Sequence, residues 1–134
     1  MRIMLDTNIL VSAFVLNSRN MLTLIDALCE RCTIVLPTYV VDELKRVTRK
    51  KFPGKYKLME KFLRELPYEL VYTPEWIEEE DYPEIRDPED LPVLASAIFE
   101  DVDILLTGDG DFAPIDIDHP EILKPAEFIA KYLD

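Results

Sequence analysis

The chain has 134 residues, 49% of them hydrophobic, with only three glycines. That is enough for one domain with a real core, and it excludes a disordered or low-complexity protein. Its net charge of −12 argues against a simple electrostatic nucleic-acid binder, and no apolar run reaches the roughly 18 residues that span a membrane.

The N-terminus, "MRIMLDTNILVSAFVLN", resembles a signal peptide until Asp6, Thr7 and Asn8 interrupt its apolar core. The expectation is therefore a cytoplasmic protein. Arg2 to Leu5 reads as a buried strand ending at Asp6. A helix follows over "NILVSAFVL", with Thr7 or Asn8 near its start. "MLTLIDALCERC" has helical spacing and ends in Cys29 and Cys32. These two cysteines and the single His119 are too few for a structural zinc site, so the pair reads as small apolar residues at a helix end.

"TIVLP" is a second short strand, and Thr38 is placed to cap the next helix, "YVVDELKRVTRKKF". Pro53 and Gly54 break it. "KYKLMEKFLREL" follows, with Leu58, Phe62 and Leu66 expected on one side. "ELVYT" is a third strand. Residues 74–88 form an acidic connector with room for one helical turn. Pro92 suits the first turn of a helix over "PVLASAIFE". "DILLT" is a fourth strand, "EIL" a fifth, and Pro125 opens a closing helix. Short apolar strands alternating with helices predict an α/β fold with a mainly parallel sheet covered on both faces. In such sheets the functional crevice lies at the C-terminal strand ends.

Charge is divided along the chain. Residues 45–64 carry nine Lys/Arg and one acid, a net +8, while residues 75–90 carry nine acids and one base. The basic helical segment at about 45–64, including Arg46, Arg49, Lys50, Lys51, Lys55 and Lys57, reads either as a solvated helix face or as a surface for a polyanion. It would project as an arm or lie on one face.

Several acids occupy unusual places. Asp6 directly follows a buried strand; it could cap the next helix, although Asn8 would serve as well. Glu43 falls on the apolar stripe of Val40, Leu44 and Val47, where a carboxylate costs several kcal/mol unless paired or metal-bound. The alternative is a stripe-edge Glu paired with a nearby base. Asp90 precedes an apolar helix and could simply start it, with Asp87 and Glu89 as competitors. In "LLTGDGDF", Asp109 and Asp111 follow a strand on residues that also build plain turns. Together these acids suggest an oxygen-rich site for Mg²⁺ or Mn²⁺ and hydrolysis by metal-activated water.

With "MLDTNIL", "VVDEL", "DPEDLPVLASA" and "ILLTGDGDF" in this order, the chain resembles the PIN-domain ribonucleases, particularly the toxins of bacterial and archaeal toxin–antitoxin pairs. The resemblance covers nearly the whole of residues 1–134. It implies one PIN-like domain, a three-layer α/β/α sandwich with a short central sheet. It also implies an acidic site of Asp6, Glu43, Asp90 and Asp109, with Asp111 auxiliary or alternative. Asn8 and Thr107 match polar residues that orient the acids or a metal-bound water. Similar enzymes cut RNA with Mg²⁺ or Mn²⁺, often as homodimers silenced by a cognate antitoxin. The rival readings are a phosphatase of the haloacid-dehalogenase type, which needs an Asp where this chain has Asn8, a non-catalytic PIN-like module binding RNA or protein, and an interaction protein whose acids are all structural.

Overall fold

The computed structural model describes residues 1–108, 115 and 117–133. Asp109 and Asp111 lie outside the described residues. Five strands form one parallel sheet in the order β3-β2-β1-β4-β5: β1 Arg2–Leu5, β2 Thr33–Pro37, β3 Tyr68–Val71, β4 Ile104–Leu106 and β5 Glu121–Leu123. The central strands are continuous apolar runs because helices cover both faces: Ile3, Met4, Leu5, Val35, Leu36, Leu105 and Leu106 are all at 0% exposure.

Helix α1, Thr7–Leu10, continues as a π turn over Val11–Val15. Asn17, at φ 57°, turns the chain, and Ser18 caps α2, Arg19–Arg31, through Met21 N. After β2 come α3, Thr38–Lys51, and α4, Tyr56–Glu65, separated by a 3₁₀ turn over Pro53–Lys55. α5 is Leu91–Phe99, and α6 is Pro125–Phe128, continued by a π turn over Ile129–Leu133. The π turn packs against α2, α3 and α4, α1 also packs against α3, and α5 packs against β4 and α3. Among the described residues no single helix is long and apolar enough to cross a membrane.

Two details differ from the sequence reading. Thr38 does not cap α3: Pro37 occupies that position, and Thr38 Oγ1 instead accepts a bond from Thr73 N at 3.1 Å. The buried side of α4 is Met59 and Leu63 with the following Leu66, while Leu58 is 37% exposed. The face turns because Phe62 stacks on Phe14 of the π turn, ring centroids 5.3 Å apart, at the margin of the core. That contact packs α4, the second helix of the basic segment, against the π turn.

The chain runs outward from β1 through β2 to β3, then returns to the other side of β1 as β4. The strand order therefore reverses between β1 and β4. This is where an open parallel sheet splits at its C-terminal edge and forms a crevice.

Candidate functional site

Asp6 sits at that reversal, 5% exposed. Its backbone N–H donates to Leu106 O at 3.1 Å, extending the β1–β4 ladder to the last residue before the turn. Its side chain has two tasks. Oδ1 accepts from Ile9 N at 3.1 Å and caps α1. Oδ2 accepts from the hydroxyl of Thr107, which is 1% exposed. Asp6 is thus the cap that Asn8 was expected to supply equally well, and Asn8 is exposed on the first turn of α1. Thr107, expected as a polar support, makes that contact. Beside them, Thr7 Oγ1 is buried with no hydrogen-bond partner among the described residues.

Glu43 approaches from α3. The buried stripe of that helix is Val40, Val41, Leu44 and Thr48, so Glu43 lies at its edge, with a side chain 26% exposed. Thr48 displaces Val47 from the stripe because its hydroxyl donates to Leu44 O at 2.7 Å and needs no partner elsewhere. Glu43 Oε2 lies 3.3 Å from the Tyr39 hydroxyl and 3.4 Å from Arg46 Nη2, both long contacts. Burial, and then the Glu43 carboxylate, push the Tyr39 phenol above its ordinary range, so it remains a donor at neutral pH.

Tyr39 also reaches the backbone next to the third carboxylate. Its hydroxyl is 3.2 Å from Glu89 O, the carbonyl preceding Asp90. Asp90 closes a 3₁₀ turn over Pro88–Asp90 and leads into α5 without making a capping bond to it. Capping of the short turn is done by Asp87, whose Oδ1 accepts from Glu89 N at 3.0 Å. Asp90 is half-buried, and its Oδ2 is shielded from solvent.

A matching sequence profile of the PIN domain covers residues 2–111. The chain belongs to the PIN-domain family. No curated protein matches it. Among solved structures, this PIN domain is similar to VapBC2 from Rickettsia felis bound to a DNA fragment from their promoter, with 22% identity, a TM-score of 0.72, and coverage of 92% of this chain and 98% of that one. It is also similar to DNA-bound VapBC from Salmonella typhimurium, with 14% identity, a TM-score of 0.67, and coverage of 93% and 98%. At these identities the likeness shows the fold.

The PIN domain has a further polar cluster that its sequence concealed. Thr73, just after β3, accepts at Oγ1 from Tyr39 N at 3.1 Å and from Ser96 Oγ at 3.2 Å, and lies 3.4 Å from Thr38 Oγ1. Ser96 in turn lies 2.7 Å from Pro92 O, to which its hydroxyl can also donate. The start of α3 is thereby tied to the end of β3 and to the interior of α5. The one sequence signal was Tyr39 four residues before Glu43, the spacing at which helix side chains meet.

Among the described residues no three of His, Cys, Asp and Glu are close enough to hold one metal ion. The donor chemistry still fits a hard divalent cation. Asp6 is a buried carboxylate, Glu43 and Asp90 are half-buried, and all donate oxygen only. The unmatched Thr7 hydroxyl is a further polar atom at the same strand end. Of the basic residues, Arg46, Arg49, Lys50, Lys51, Lys55 and Lys57 are all exposed. Arg46 pairs with Glu43, and Arg49 donates to the Tyr56 hydroxyl at 2.8 Å while its guanidinium lies 4.8 Å from that ring's centre. At about 1.5 Å rise per residue, Lys50 and Lys51 stand roughly 10 Å further along α3 than Glu43. Cys29 and Cys32 are free thiols, and burial pushes Cys29 above its usual range, in keeping with a packing role.

Proposed function

We propose that this PIN domain is a metal-dependent endoribonuclease, the toxin of a toxin–antitoxin pair. The observation that carries the reading is the buried Asp6 at the sheet's reversal point, held by Thr107, in a chain that belongs to the PIN-domain family. Asp6, Glu43, Asp90 and Asp109 would hold Mg²⁺ or Mn²⁺, with Asp111 auxiliary. Such an ion, when bound, supplies an activated water nucleophile and neutralises charge on the phosphodiester.

The chain's own residues do the rest. Asp6 presents a carboxylate fixed in direction by Thr107 and the α1 backbone. Glu43 and the Asp90 turn are brought near one another by Tyr39, a donor to either. Arg46 beside Glu43, then Arg49, Lys50, Lys51, Lys55 and Lys57, draw the phosphates of RNA along α3 and α4. A cognate antitoxin, a homodimeric state and a cytoplasmic location belong to the same reading. The VapBC likeness supports the fold it needs.

The test incubates purified protein with single-stranded RNA and Mn²⁺, beside Asp6→Asn and Glu43→Gln. Cleavage is expected to stop with EDTA and to fall about a hundredfold or more in both variants. Metal-dependent cleavage that persists in both would sink the site. Hydrolysis of p-nitrophenyl phosphate without RNA cleavage would favour a phosphatase instead.

A further inference from the structure

β3 is the outer strand of the sheet, so one row of its backbone donors and acceptors faces away from β2. Both of its middle residues, Glu69 and Leu70, are exposed. Val71 is buried, while Leu70 is 47% and Tyr72 77% exposed, and Trp76, four residues on, is 87% exposed. The connector carrying Trp76 is anchored, because Ile77, Tyr82 and Ile85 pack against the core. An indole is thus held in water five residues beyond the end of the outer strand. Grouped apolar exposure of this kind marks an interaction surface.

Charge identifies what fits there. Glu75, Glu78, Glu79 and Glu80 flank Trp76 and are exposed, and residues 75–90 carry nine acids against Arg86 alone. That field repels a polyanion and draws cations. Tryptophan offers the best ring face to a guanidinium or ammonium group. The basic helices of residues 45–64 carry the opposite sign.

We propose that the β3 edge, with Leu70, Tyr72 and Trp76, docks an extended basic segment of a partner protein. The segment lies along β3, its aliphatic side chains on Leu70 and Tyr72 and its Lys or Arg side chains on Trp76 and the neighbouring glutamates. The surface uses none of the carboxylates assigned to hydrolysis, so it stands or falls apart from the nuclease reading.

Trp76 is the only tryptophan in the chain, so its emission reports this surface alone. The probe is a short synthetic peptide alternating valine and arginine, titrated into the full-length protein. A saturable change in emission that weakens with added salt is expected, and no change with the valine–glutamate counterpart. Leu70→Glu and Tyr72→Ala should each lower the affinity about tenfold at unchanged melting temperature, and Trp76→Ala likewise by calorimetry. Silence towards the valine–arginine peptide would overturn the proposal, as would an equal response to the valine–glutamate peptide. So would a saturable change produced by single-stranded RNA in the peptide's place, or by raising the protein concentration alone, since each names another occupant.

Discussion

Asp6 and Glu43 are carboxylates of one candidate site, yet the molecule holds them in opposite ways. Asp6 belongs to the sheet: it is 5% exposed, tied by backbone to β4, and both of its oxygens accept bonds. Glu43 belongs to a helix rim: its side chain is 26% exposed, and its contacts to Tyr39 and Arg46 are 3.3 and 3.4 Å long. The first is fixed by folding. The second is held loosely enough to exchange partners. A site meant to take up a cation profits from both, one rigid donor setting the place and another closing on it.

Removing each carboxylate tests that contrast most directly. Asp6→Ala deletes a helix cap and removes the buried acceptor that the Thr107 hydroxyl faces, so urea denaturation should show a loss of about 2–4 kcal/mol. Glu43→Ala should cost less than about 1 kcal/mol in the same measurement. Equal losses would erase the distinction. Next in size, Thr107→Val keeps the shape but removes the donor to Asp6, for an expected loss of about 1–2 kcal/mol by denaturant midpoint. Tyr39→Phe should stay within about 1 kcal/mol, because its hydroxyl makes only long contacts; a larger drop would mean that the rim is as fixed as the centre.

Much of this was legible in the residues, and the exceptions have physical causes. β1, β2 and β4 stand out because a strand buried on both faces must be apolar throughout, and the strand order then put Asp6 where a crevice forms. Asp6 as a cap was underweighted because Asn8 competes for the task on paper; the backbone settles it, since α1 already begins at Thr7. Thr38 was misassigned because a cap is a local inference and Thr73, its partner, lies 35 residues away. The stripe on α3 shifted from Val47 to Thr48 because a threonine that bonds its own helix backbone can be buried like an apolar residue. Tyr39 went unremarked because an aromatic ring reads as core, whatever its hydroxyl does.

The smallest expected effect lies away from both acids, at the β5 edge. Lys131 and Tyr132 hold the Glu121 carboxyl below its ordinary range. The unfolded chain then takes up that proton first, so this contribution is present above the ordinary carboxyl value and fades as pH falls below it. The groups are largely exposed, so a pH series of thermal melts should show Lys131→Met flattening the acid side only slightly. An acid-side effect as large as that of Thr107→Val would place the pH-sensitive structure at this edge and not at the centre.

The pairing of Asp6 with Thr107 spans 101 residues of chain. β1 and its second neighbour, β4, are separated in sequence by β2, β3 and the helices around them. Contacts so far apart in sequence close late and slowly. The acidic corner therefore forms only when β1 and β4 pair, and before that Asp6 lacks the Thr107 hydroxyl that aims it.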